Sequence, residues 1–193
     1  MIRFYDPKDE YGYLSNLSRH GFRLFCSEWP TAEHCYQAMK FFPTDSSLVR
    51  EIRGAETPRI AAETGRANRD KAYQRWDEIK DDAMRLVVMA KFYSNKEIQE
   101  KLVSTGDETL VEASPTDWYW GEGADSRGEN RLGRILMEMR GVFSDEETRK
   151  QFVEEKFYDF EDDGIKPRTR AGPAAQYRLG LISKLSEHMV IRM

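Results

Sequence analysis

With 193 residues the chain is long enough for one domain with a real core. Hydrophobic residues at 39% against charged residues at 33% exclude an unfolded polar chain, and no stretch is apolar for long enough to span a bilayer. A net charge of −4 excludes a molecule held to nucleic acid by its overall field, and leaves two local basic runs, Arg66-Arg69-Lys71-Arg75 and Lys166-Arg168-Arg170.

The N-terminus, MIRFYDPKDEYG, lacks the charged-then-apolar pattern of a signal peptide, so a cytoplasmic location is expected. Cys26 and Cys35 suit that compartment as free thiols. His20, His34 and His188 show no ligand spacing, and no metal centre is expected. From Ile2 to Phe25, aromatics, turn residues and the alternating GFRLF predict short strands joined by loops. Thr31 caps a helix running through Phe42, and Thr57 with Pro58 opens another that Gly65 ends. A long helix follows over about 71–93, then a short one over 96–103 closed by Gly106. Thr109 to Ala113 is β-prone and leads into a loop rich in aromatics and glycine. Asn130 or Arg131 opens a helix through Phe143, and 145–157 and 174–189 predict two more. The expected fold is α+β and predominantly helical, with a small N-terminal β element. Its expected division is a domain over 1–143 and a helical extension over 144–193 packed on it.

Within WPTAEHCYQAMKF, a pitch of about 100° per residue gathers Cys35, Ala38, Met39 and Phe42 on one face. Glu33, Gln37 and Lys40 fall within about 60° of one another on the opposite side. Such a row is ordinarily a solvated face. Here Tyr36 and Phe41 flank it, which predicts a cleft floor, whereas Trp29 is read as core. Asp117, in DWYWG, is a second carboxylate among aromatics: the indoles of Trp118 and Trp120 can hold a flat ring, and a partly dry acid can move a proton. Gly121, Gly123, Gly128 and Gly133 surround a polar turn leading into a helix, an arrangement able to present N–H groups to a phosphate, although the pattern matches neither a P-loop nor GxGxxG.

In order, YGYLSN, WPTAEHCYQAMKF, AAETGR, RW, AKF, LVEAS with DWYWG, and GENRLGRILMEMR closely resemble the YbiA-like family, also called NADAR, from Phe4 to Arg140. The resemblance implies a YbiA-like, predominantly helical fold and N-glycosidase activity. Members cleave ribosylamino pyrimidine phosphates of riboflavin synthesis or remove ADP-ribose from guanine. It also implies an active site including Glu33, Trp76, Asp117 and Trp120, with Lys40 on the helix of Glu33. The chain departs from the riboflavin-linked members after about Ser144 and at Cys35 and Met39.

Both substrate classes hold a ribose through an exocyclic amine on a flat heterocycle. Either Glu33 and Asp117 act as paired carboxylates in direct hydrolysis, or the ribose ring opens to an imine that Lys40 attacks, with a carboxylate moving protons. Gln37, Trp76, Trp118 and Trp120 are expected against the substrate. Asn16, Arg66, Arg69, Gly121 and Asn130 are expected near ribose or phosphate. Neither route needs a cofactor. The expected substrate is ADP-ribosylated guanine, free or in DNA or RNA, which would pair the enzyme with an ADP-ribosyltransferase. A ribosylamino pyrimidine phosphate is the alternative substrate, and a non-catalytic ADP-ribose reader is the alternative of another class.

Overall fold

The structure, a computed structural model, describes residues 1–24, 27–42, 44–147, 158–161 and 164–167. Two small sheets and six α-helices are built from them. β1 (Ile2–Phe4) lies parallel to β4 (Leu110–Glu112), with Phe4 opposite Glu112. β2 (Phe22–Leu24) pairs antiparallel with β3 (Ser27–Trp29), placing Phe22 opposite Trp29. Both strands alternate buried and exposed positions, as a sheet with one face on the core requires.

The helices follow their local signals. Thr31 caps α1 (Ala32–Met39) by accepting from the His34 N–H, and its hydroxyl meets His34 Nδ1 at 2.8 Å. His34 Nε2 lies 3.0 Å from the Ala55 carbonyl, so this buried histidine ties the start of α1 to the turn beyond α2 (Ser46–Arg53). The sequence reading left α2 unassigned. Asp45 caps it by accepting from Ser47 N and Leu48 N, and Leu48, Val49 and Ile52 bury one short stripe.

α3 (Pro58–Ala67) starts as expected, with Thr57 accepting from Ile60 N, but does not stop at Gly65. There the helix runs against α1, and a Cβ on Gly65 would fall on the Gln37 side-chain amide. The glycine permits close approach, not termination. α4 (Trp76–Ser94) is the central helix, burying Ala83, Leu86, Val87, Met89, Ala90 and Phe92 completely. α5 (Lys96–Ser104) and α6 (Arg131–Ser144) complete the core, and Gly106, at φ +55°, takes the left-handed position after α5.

Lys91, at the centre of AKF, is also fully buried. Its ammonium donates to the carbonyls of Tyr13 (2.7 Å) and Ser15 (2.9 Å), holding the turn that carries Asn16. Burial brings Lys91 down to about 7.

In the C-terminal extension, β5 (Tyr158–Glu161) pairs antiparallel with β6 (Gly164–Pro167), and β6 joins β2 in parallel with Ile165 opposite Leu24. This stretch, read from sequence as an acidic turn between helices, is therefore a hairpin extending the β2–β3 sheet. The expected helix over 174–189, most of that over 145–157, Cys26, Arg168 and Arg170 lie outside the described residues. Among the described residues no helix is long and apolar enough to cross a membrane.

Candidate active site

α1 and α3, the start of α4, the Ser15–Leu17 turn and the loop after β4 enclose a cavity of about 740 Å³. Of the residues singled out in the sequence, Asn16, Glu33, Gln37, Lys40, Arg66, Trp76, Asp117 and Trp120 line it. Glu33 and Lys40 keep partial exposure, while Gln37 between them is buried.

The polar row of α1 is one hydrogen-bonded line. Gln37 Nε2 donates to Glu33 Oε1 at 2.8 Å, and Lys40 Nζ donates to Gln37 Oε1 at 2.6 Å. One amide thus serves carboxylate and ammonium together, fixing both in the cavity floor. Burial raises the Glu33 carboxyl; the Gln37 hydrogen bond, Lys40 and Arg66 oppose that rise, and Asp117 adds to it. Burial likewise lowers the Lys40 ammonium, with Glu33 resisting. The acid therefore holds its proton, and the amine loses its own, nearer neutrality than either would in water.

Because the row depends on Gln37 staying in place, Gly65→Ala is expected to displace that side chain. The cost is about 1–3 kcal/mol of overpacking. Turnover should fall roughly tenfold as Lys40 loses a charge-assisted hydrogen bond worth about 1.5–3 kcal/mol. Urea unfolding and steady-state kinetics on the same preparation would separate the two effects.

Aromatic rings form one wall. Tyr36, buried, meets Trp76 at 5.3 Å (58°) and Trp120 edge-on at 5.5 Å (82°) between centroids, and Lys40 Nζ stands 5.5 Å from the Tyr36 ring. Asp117 Oδ1 accepts from Tyr119 N (2.9 Å) and Trp120 N (2.7 Å). These two bonds lock the turn that aims Trp120 into the wall.

Four expected site residues stand elsewhere. Trp118 is 48% exposed and covers Gly123, where a Cβ would come within 2.7 Å of its ring. Gly121 packs under the Glu112 carbonyl. Asn130, at φ +49°, bridges strand and helix: its Oδ1 accepts from Glu112 N (2.9 Å) and its Nδ2 donates to Leu110 O (2.9 Å). Arg69 is exposed in a 3-10 turn away from the lining. Phe41, expected as the second flank of the polar row, is fully buried core; the chain leaves α1 at Lys40, which turns its ring inward.

Other lining residues were not singled out as site residues. Tyr119 joins Asp81 through its hydroxyl at 2.6 Å, with Lys80 Nζ 3.9 Å from its ring. Arg59 lines the cavity with Arg66, seven residues apart on α3, and neither forms an ion pair among the described residues. Glu112, inside LVEAS, brings a further carboxylate into the cavity. The two buried side-chain atoms without a hydrogen-bond partner among the described residues, Asn16 Oδ1 and Glu112 Oε2, both belong to this lining. A buried polar atom without a protein partner is one that a water, an ion or a ligand group can satisfy.

The NADAR domain family profile matches residues 3–144. "N-glycosidase Npun_R5314" of Nostoc punctiforme is 44% identical over 140 residues, covering 72% of this chain and 90% of that protein. "N-glycosidase YbiA" of Escherichia coli is 38% identical over 140 residues, covering 72% and 86%. "Riboflavin biosynthesis protein PYRR, chloroplastic" of Zea mays is 38% identical over 154 residues, covering 72% of this chain and 25% of that longer protein. The NMR structure of the E. coli protein YbiA superposes with a TM-score of 0.67 at 36% identity, covering 80% of this chain and 86% of that one. Motif order, fold and these relatives agree, and the chain belongs to the NADAR family of N-glycosidases.

Proposed function

We propose that this N-glycosidase cleaves the bond between a ribose anomeric carbon and an exocyclic amine on a heterocycle, and that its substrate is ADP-ribosylated guanine. The observation that carries the reading is the Glu33–Gln37–Lys40 line facing the same cavity as Asp117, beneath Tyr36, Trp76 and Trp120. A flat base fits against the indoles, and the anomeric carbon then comes over the acid and the amine.

The lysine route suits this arrangement. The substrate amine's lone pair opens the ribose ring to an imine, and the ring oxygen takes a proton. Lys40, its ammonium weakened by burial, adds to the imine carbon as a neutral amine. The heterocyclic amine departs with its bonding pair and one proton, leaving a Schiff base on Lys40. Water adds to that carbon and frees the sugar. Glu33, within the same hydrogen-bonded line, receives and returns protons.

Preference for ADP-ribose draws support from Arg59 and Arg66, two guanidiniums able to meet a pyrophosphate, and from a cavity volume suited to a large ligand. The second reading, a ribosylamino pyrimidine phosphate, is favoured by the riboflavin-related name of the maize relative. Incubation with each compound distinguishes them: release of ADP-ribose from modified guanine is the expected result, and release of ribose 5-phosphate alone would select the second.

A further inference from the structure

We propose that Glu112 is a further catalytic residue of this cavity: its carboxyl, carried by a backbone held in place and itself without a hydrogen-bond partner among the described residues, hands a proton to the heterocyclic amine as it leaves. The inference rests on N-ribosyl cleavage occurring in this cavity, and both chemical routes need the same proton. The exocyclic nitrogen starts with one hydrogen and ends as NH2, whether C1′ is taken by water or by Lys40.

Glu112 has little positional freedom. Its N–H donates to Asn130 Oδ1 (2.9 Å), its carbonyl accepts from Glu122 N (2.9 Å), and Ala113 N donates to Phe4 O (2.9 Å) just beyond it. Strand pairing with β1 and contact with Gly121 close the remaining sides. The side chain therefore reaches the cavity from a rigid strand, and its Oε2 is buried with no partner.

Glu33, Asp117 and Glu112, three of the carboxylates lining the cavity, are treated differently. Glu33 receives an N–H from Gln37, and Asp117 receives two backbone N–H groups. The charges bearing on Glu112 are those of Asp117 and Glu33, both negative. The nearest cation on the neighbouring strand, Arg3, is held by Glu122 (2.8 Å), while Lys40 and Arg66 act on Glu33. A buried anion without donors is costly, and burial together with those two carboxylates pushes Glu112 up to about 8. Glu112 is thus the cavity carboxyl that burial and its neighbours favour as an acid, the kind of environment that divides acid from base in paired-carboxylate sites.

The proton balance closes. As the C–N bond breaks, the nitrogen keeps the bonding pair and takes the Glu112 proton. Water supplies hydroxyl to the sugar carbon and its proton to Glu33 or Asp117, from which Glu112 is recharged.

Two measurements test this on the full chain. Carboxyl-labelled glutamate NMR, comparing wild type with Glu112→Gln, should show one carboxyl titrating near pH 8 that vanishes in the variant; titration in the ordinary carboxylate range overturns the proposal. On whichever of the two compounds the wild type cleaves, Glu112→Gln should lower kcat about 10²- to 10³-fold and remove the alkaline limb of kcat/KM, while Glu112→Asp recovers part of both. Turnover within twofold of wild type with that limb intact also overturns it. If the wild type cleaves neither compound, the substrate reading fails and the titration still decides the state of Glu112.

Discussion

Replacing Glu33 by Gln is expected to lower kcat by about 10²- to 10⁴-fold, the usual range for loss of a positioned proton-transfer group. The substitution is nearly isosteric and keeps an acceptor for Gln37 Nε2, so the α1 row should persist without its ionisable end. Activity and stability should then move apart. The Glu33 carboxyl is raised in the folded protein, chiefly by burial, so folding binds its proton more tightly than the unfolded chain does. That contribution is fully present below the ordinary carboxylate value and is lost as pH rises through the folded one. The amide does not titrate, so Glu33→Gln should be at least as stable as wild type at neutral pH and less dependent on pH in between. The kcat/KM profile of the wild type should carry an acid limb above the ordinary carboxylate range, and the variant should lose the part of it that belongs to Glu33, keeping that of Lys40. A variant with wild-type turnover would remove Glu33 from the chemistry.

Lys40→Met is the second large effect, on the order of 10³-fold or more in kcat, because the lysine route loses its nucleophile outright. Borohydride added during wild-type turnover should fix a reduced sugar on Lys40, seen as a mass increase on the peptide containing it. The variant should show none. Methionine keeps the length of the lysine stem, whose ammonium stands 5.5 Å from the Tyr36 ring, so the aromatic wall should survive and thermal unfolding should change little. Active wild type that yields no adduct would point to direct hydrolysis with Glu33 and Asp117 as the pair. Lys40 would then serve to hold Gln37 and the Glu33 charge.

The two substitutions also test whether the α1 row is a unit. If Gln37 couples them, the double variant should lose much less than the product of the single losses. Gly65→Ala, which reaches the same amide from α3, should reproduce part of either phenotype without touching a titratable group.

Much of this protein followed from local rules. Thr31 and the Thr57–Pro58 pair marked helix starts because each threonine hydroxyl accepts from an N–H three residues on and Pro58 has no N–H to satisfy, whatever lies further away. A 3.6-residue period was enough to line up Glu33, Gln37 and Lys40, and the ordered motifs were enough to identify the family. Tertiary contact decided the rest. Gly65 reads as a helix end locally, yet its missing side chain is needed by a neighbouring helix. Phe41 and Trp118 reverse their expected roles because the chain turns after Met39 and because Gly123 leaves room for an indole outside the wall. Glu112 looks like any carboxylate on a short strand until β1, arriving from more than a hundred residues away, pairs with β4 and the following loop brings Asp117 alongside. Charge and periodicity are properties of nearby residues, so sequence alone could supply the acid, the amine and their alignment. Burial and the mutual repulsion of three carboxylates depend on distant segments meeting, and only the folded chain determines which of those groups keeps its proton.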